Sequence, residues 1–224
     1  MIELAGPARR RLGEVLARSA TLGWLGPGPV GNQVDHALAL ARAVAAVPDL
    51  EGCDAIVDLG SGGGVPGLVI AVALAPRPIT LLEGSARRAA FLRSAALELA
   101  GDPVIDVAEG RAEELARRPE LDGHFSVCTA RSFGRPAVTA ECAARLLGVG
   151  GVLVVSEPPE PGDRHGGIPD AHARWDLVGL AGLGYGEART SSEFGVRIAM
   201  VEKTHITDSR YPRRVGMPAK RPLW

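Results

Sequence analysis

The sequence predicts an α/β fold: a mostly parallel, seven-stranded sheet finished by an antiparallel hairpin, with a helical cap at its N-terminal side. Three observations carry this. From residue 55 onward, short apolar runs of strand length alternate with helix-length segments, the rhythm of a parallel sheet covered on both faces. The first run ends in Asp58, breaks into Gly60, Gly62, Gly63 and Gly64, and reaches Pro66. That order reads as a strand, a tight loop and the first turn of a helix. The last two runs, 187–190 and 196–203, read as strands joined through a short Ser- and Gly-containing turn.

Before the sheet, residues 7–22 place Leu12, Val15 and Leu16 at helical spacing among arginines. This predicts an amphipathic helix lying as a solvated cover on the main domain. The Gly-Pro repeat at 26–31 is a bend, and a second helix is expected over 34–46, with Pro48 just beyond it. These segments make residues 1–50 a cap, 51–206 the main domain and 207–224 a basic, proline-punctuated tail.

Within the main domain, 79–83 is a strand ending in Glu83, and Ser85 is placed to cap the helix that runs to residue 100. A third strand over 104–108, a short helix over 111–118 and a fourth strand over 125–130 follow. Pro136 opens the next helix, expected to run into the glycines at 148–151 before an apolar strand at 152–155. The proline-rich stretch 157–169 is a lid or a surface loop, and a helix is expected over 171–183.

The 224 residues suffice for one core with a small appendage. No apolar run reaches the length of a membrane span, the first residues lack the basic-then-apolar order of a signal peptide, and a cytoplasmic location is expected. Cys53, Cys128 and Cys142 have no Cys-x-x-Cys spacing and read as reduced thiols. The five histidines are scattered, so no metal site is expected. With 25 basic against 26 acidic residues the net charge is −1, unlike most strongly nucleic-acid-steered domains, although arginines crowd both ends of the chain.

The glycine loop is a nucleotide-type site, because bare backbone and the free N–H groups of a helix start face whatever binds there. Two readings fit it. Counted from Gly62, the spacing Gly62-x-Gly64-x-x-Gly67 satisfies a dinucleotide fingerprint. Counted from Asp58, the pattern acid-x-Gly60-Ser61-Gly62-x-Gly64 resembles the first motif of class I S-adenosylmethionine methyltransferases. The carboxylate at the strand end favours the second, since that cofactor carries a sulfonium and an ammonium whereas a dinucleotide carries a pyrophosphate. Glu83 has the two oxygens needed to accept both ribose hydroxyls, and backbone groups at Ala112 and Glu113 are placed to frame an adenine. Arg131 and Ser132 follow the fourth strand, where a fixed fork of donors suits a guanine O6 or a phosphate.

Taken together, Asp58 to Gly67, Leu82 to Leu92, Gly110 to Glu114, Thr129 to Phe133 and the tail from Tyr211 to Leu223 resemble the successive motifs of one family. It is the RsmG family of bacterial 16S ribosomal RNA guanine-N7 methyltransferases, once called glucose-inhibited division protein B. The resemblance implies a class I methyltransferase fold, S-adenosylmethionine as cofactor, ribosomal RNA or the small subunit as partner, and a reaction without a general base. It implies cofactor contacts from Asp58, Gly60, Ser61, Gly62, Gly64, Glu83, Ala112, Glu113 and Arg131, and orientation of the target base by Arg131 and Ser132. The basic tail is expected either to hold RNA backbone, with Tyr211 available for stacking, or to lie strapped across the domain. The family's Asn-Leu-Thr and Arg-His elements are replaced here by Gly-Pro repeats and Asp35-His36. Its lysine and glycine after the fifth strand are replaced by Ser156-Glu157-Pro158, an anion expected to repel RNA. A methyltransferase acting on a nitrogen of a small molecule is the alternative these differences raise.

Overall fold

The structure is a computed structural model that describes residues 2, 4, 6–48, 50, 54–99, 101, 103–158, 174–192 and 195–224. Seven strands form one sheet: β1 (Ile56–Leu59), β2 (Ile79–Glu83), β3 (Ile105–Glu109), β4 (Phe125–Ala130), β5 (Leu147–Ser156), β6 (Tyr185–Ser191) and β7 (Ile198–Lys203). Their order is β3-β2-β1-β4-β5-β7-β6. The first five are parallel, and β7 lies antiparallel between β5 and β6.

Period-two alternation sends neighbouring strand residues to opposite cores. Ile56, Ile79, Leu81, Val127, Val154 and Ile198 face one core with α1 (Gly6–Thr21), α2 (Val30–Ala45), α3 (Gly67–Ala73) and α4 (Ala86–Glu98). Val57, Leu59, Leu82, Cys128, Leu153, Val155 and Val201 face the other. There they meet α5 (Ala112–Leu115), α6 (Pro136–Ala143) and α7 (Leu177–Gly182). A last short helix, α8 (Met217–Lys220), lies in the tail. The cap helices therefore share a core with the sheet: Leu12, Val15 and Leu16 of α1 are buried within it.

Several boundaries differ from the sequence expectation, each for a physical reason. Helix α2 starts at Val30 rather than 34, because Pro29 already holds an extended N-cap geometry before it. Strand β5 begins at Leu147, where the glycines had suggested a helix end. A Cβ on Gly151 would lie 2.9 Å from the Gly148 carbonyl oxygen and 3.0 Å from that of Ser126, so glycine serves close approach there rather than termination. Helix α7 starts at Leu177 because Asp176 caps it, accepting a 2.6 Å bond from the Gly179 amide. Ser85 stands at the N-cap of α4, yet its side chain makes no cap bond and its amide is drawn to Glu83. Residues 171–173 of the expected helix, Cys53 and residues 159–169 of the expected lid lie outside the described residues. No helix of the described residues is long and apolar enough to cross a membrane.

Candidate functional site

A cleft of about 530 Å3 opens at the carboxyl ends of β1, β2, β3 and β4. The strand order reverses between β1 and β4, the place where ligands bind open α/β sheets. The loop after β1 forms its floor. Gly60 and Gly62 adopt φ of 73° and 55°, conformations a side chain would strain, and a Cβ on Gly60 would lie 2.5 Å from the Phe133 ring. At Gly62 the space that a side chain would fill is open apart from the Gly60 carbonyl oxygen at 3.8 Å. Gly62 therefore leaves bare backbone toward the cleft, and Gly60 lets the loop meet the wall after β4.

Glu83, at the end of β2, ties this floor to the next loop. Its Oε2 accepts from the Gly62 amide at 2.8 Å, and its Oε1 accepts from the Ser85 amide and from Arg88, each at 2.7 Å. A carboxylate has about four acceptor positions, so three are filled. The Ser61 amide adds a 2.9 Å bond to the Leu82 carbonyl.

Asp58 is placed differently from the sequence expectation. It is 1% exposed and does not line the cleft. Its Oδ1 accepts from Thr129 at 2.9 Å, and its other oxygen lies against Gly67, where a Cβ would come within 2.5 Å. Burial raises its pKa to about 6, with the Glu83 charge adding to the rise and the nearby Ser61 and Thr129 hydroxyls and Gly67 amide opposing it. Asp58 thus anchors the loop and the start of α3 from beneath. Gly64 also stands behind the floor, packed on Leu68 and Leu92, and Gly63 lines the cleft in its place.

Gly60, Ser61, Gly62, Glu83, Ala112, Glu113, Arg131 and Ser132 are brought together around the cleft. The Glu113 side chain is largely engaged by the tail, accepting from the Gly216 amide at 2.9 Å. Arg131 is half-buried: Nη2 donates to Gln33 Oε1, and Nη1 is buried without a partner among the described residues. Burial lowers its pKa, and the Asp58 charge works against that. Ser132 adopts a positive φ of 54°, an unfavourable geometry for a residue with a Cβ and one that clusters at functional sites.

The N-terminal cap supplies a wall that the sequence did not reveal. Trp24, Leu25, Gly26 and Gln33 all line the cleft. Ser19 Oγ donates to the Gly63 carbonyl at 2.8 Å, and Trp24 packs edge-on against Phe91 of α4 with Arg87 over its ring. Trp24 carried a weak signal, a large aromatic in a Gly- and Pro-rich bend; Gln33 carried none. Arg88 and Phe133 also line the cleft; they fall inside the motif stretches, but neither carried a role of its own in the sequence.

Two substrate-side expectations change. Glu157 does not present a free anion: it is 5% exposed, Arg174 lies 2.7 Å from its Oε2, and Trp175 donates to its Oε1 at 3.2 Å. Tyr211 is 9% exposed and covered by Arg210, so it is not available for stacking. The tail is strapped over the domain. The Arg117 side chain donates to the Pro212 and Arg210 carbonyls, and Arg213 donates to buried Glu141 at 2.6 and 2.9 Å. Arg210, Arg214, Lys220 and Arg221 stay exposed along the strap.

Comparison with solved structures agrees with this topology. An O-methyltransferase from Bacillus cereus in complex with SAH superposes with a TM-score of 0.58 at 18% identity, over 87% of this chain and 91% of that one. Fibrillarin from Aeropyrum pernix in complex with S-adenosyl-L-methionine gives 0.53 at 18% identity, over 75% and 76%. The fold is that of the class I S-adenosylmethionine methyltransferases. Sequence comparison is narrower. The ribosomal RNA small subunit methyltransferase G of Rubrobacter xylanophilus is 33% identical over 202 residues, 85% of this chain and 72% of its own. That of Syntrophomonas wolfei is 33% identical over 183 residues, 82% and 83%. A family model described as GidB, rRNA small subunit methyltransferase G, matches residues 33–157, which span the glycine loop, Glu83, Ala112, Glu113 and Arg131. By that match and by these relatives, the chain belongs to the GidB family of rRNA small subunit methyltransferases.

Proposed function

We propose that this chain transfers a methyl group from S-adenosylmethionine to N7 of a guanine in 16S ribosomal RNA. The observation that carries the reading is the bare glycine floor tied to Glu83 at the point where the sheet reverses, open to a walled cleft of about 530 Å3. That volume lies within the range of small-ligand and cofactor sites. The donor set fits a nucleoside with a charged amino-acid end. Glu83 keeps one acceptor position for a ribose hydroxyl, and a second hydroxyl can replace half-exposed Arg88. The amides after β3, at Ala112 and Glu113, frame the adenine. Gly62 leaves room for the methionine end beside the Gly60 and Ser61 backbone, and Asp58 supplies negative charge from below at low dielectric.

When bound, S-adenosylmethionine supplies a methyl group on a sulfonium. Guanine N7 holds a lone pair at neutral pH, so the chain needs no base to remove a proton. Its residues position and exclude: Arg131 and Ser132 orient the base, Phe133 and the cap wall keep water out, and near-attack geometry lowers the barrier. Burial of Glu157 against Arg174 and Trp175 takes away the anion that argued against an RNA substrate. Incubating the protein with unmodified small subunits and labelled cofactor, then digesting the RNA to nucleosides, tests the reading. Labelled 7-methylguanosine supports it; label in another nucleoside, or none in RNA, refutes it.

A further inference from the structure

Arg131 and its surroundings carry one inference more. A half-buried guanidinium cannot turn freely to solvent, and a buried donor without an acceptor is costly. Arg131 lines the cleft; its Nη1 is such a buried donor among the described residues, while Nη2 is held by Gln33. Gln33 is itself fixed: it is 9% exposed on the first turns of α2, and its Nε2 donates to the Pro27 carbonyl at 3.2 Å. The Gln33 side-chain oxygen thus holds one branch of the fork. The neighbouring His36 shares a 2.7 Å hydrogen bond with Ser156, and burial together with Arg131 keeps its pKa below the ordinary histidine range. It therefore adds no second cation at neutral pH. Ser132, with its positive φ, fixes the chain immediately after Arg131.

We propose that Gln33, a residue of the N-terminal cap, is a positioning residue for the target base. By holding Arg131 Nη2 it fixes the guanidinium where Arg131 borders the cleft, beside the carbonyl oxygen next to the nitrogen to be methylated. The inference rests on the guanine-N7 reading above and adds to it a residue whose role is exerted through Arg131. The cap then completes the substrate pocket as well as covering the sheet. Because α2 carries Gln33 to the end of β4, cap and sheet must be docked for the fork to be set.

The test uses the full chain and unmodified small ribosomal subunits under single-turnover conditions, with cofactor affinity measured separately by calorimetry. Gln33→Leu is expected to lower the transfer rate about ten- to hundredfold, the effect of one hydrogen bond to a charged group. The dissociation constant for S-adenosylmethionine should stay within about twofold. Gln33→Glu, which offers an oxygen to the same N–H, should stay within about tenfold of wild type. If Gln33→Leu is too unstable to assay, Gln33→Met, of similar length and flexibility, takes its place with the same expectation. Wild-type transfer rates in Gln33→Leu or Gln33→Met overturn the inference. So does a loss matched by equally weakened cofactor binding, which would make the Arg131 fork a clamp for the cofactor, and so does a failure of Gln33→Glu to outperform Gln33→Leu. A wild-type protein that leaves subunit RNA unmethylated overturns the functional reading and this inference together. An active wild type with indifferent Gln33 variants overturns the inference alone.

Discussion

Asp58 shows how one buried acid trades stability against function. Its pKa is raised from 3.8 to about 6 because burial disfavours the charged form. A group whose folded pKa is raised contributes fully below the unfolded value, and that contribution is lost as pH rises through the folded one. Here the window runs from about pH 4 to just above 6, and the loss is about 3 kcal/mol. Asp58→Asn is therefore expected to melt several degrees above wild type at pH 8 and close to it at pH 4, followed by calorimetry across that range. The same substitution should weaken S-adenosylmethionine binding about tenfold, since it removes the negative charge beneath the floor. Glu83→Gln should cost more. It weakens the acceptors for the Gly62 and Ser85 amides and removes the charge paired with Arg88, so a drop in cofactor affinity of about tenfold or more is expected from titration.

At the scale of elements, the cap and the tail both reach the cleft from outside the sheet. Gly63 is where α1 meets the glycine loop: a Cβ there would lie 2.7 Å from the Trp24 carbonyl oxygen, which is backbone and cannot swing aside. Gly63→Ala is expected to lift the cap off the floor, lowering cofactor affinity and increasing amide exchange over residues 19–26 while the sheet stays protected. The tail hangs on Arg213, whose partner Glu141 is fully buried. Arg213→Ala removes the counter-ion and leaves Glu141 only the residue-213 amide, 2.8 Å from its Oε1, and should cost about 3 kcal/mol, read as a lower denaturant midpoint. Which of these elements the sequence disclosed follows from the range of the forces involved. Strand alternation and the Asp58-to-Pro66 loop are local, so β1, β2, β4 and their floor were legible. The pairing of Gln33 with Arg131, 98 residues apart, and the turn of Asp58 under the loop are tertiary outcomes with no local signature. The glycines before Val152 misled for the opposite reason, because glycine marks helix ends and close strand approach alike.

Across the whole molecule, a net charge of −1 means that RNA must be met by local rather than global charge. The strapped tail offers Arg214, Lys220 and Arg221 exposed on its outer side. Replacing all three with alanine should weaken binding to small-subunit RNA and reduce the slope of log affinity against log salt by about 2, without changing cofactor affinity. Both cores, the cap wall and the strap converge on one requirement, that the cleft at the β1–β4 reversal receives S-adenosylmethionine. Calorimetric titration of the purified chain with S-adenosylmethionine and, separately, with nicotinamide dinucleotide tests that requirement directly. Saturable binding of the first at one site per chain, weakened about tenfold or more in Glu83→Gln, together with no heat from the second, is the expected result; saturable binding of the dinucleotide with indifference to S-adenosylmethionine would contradict it.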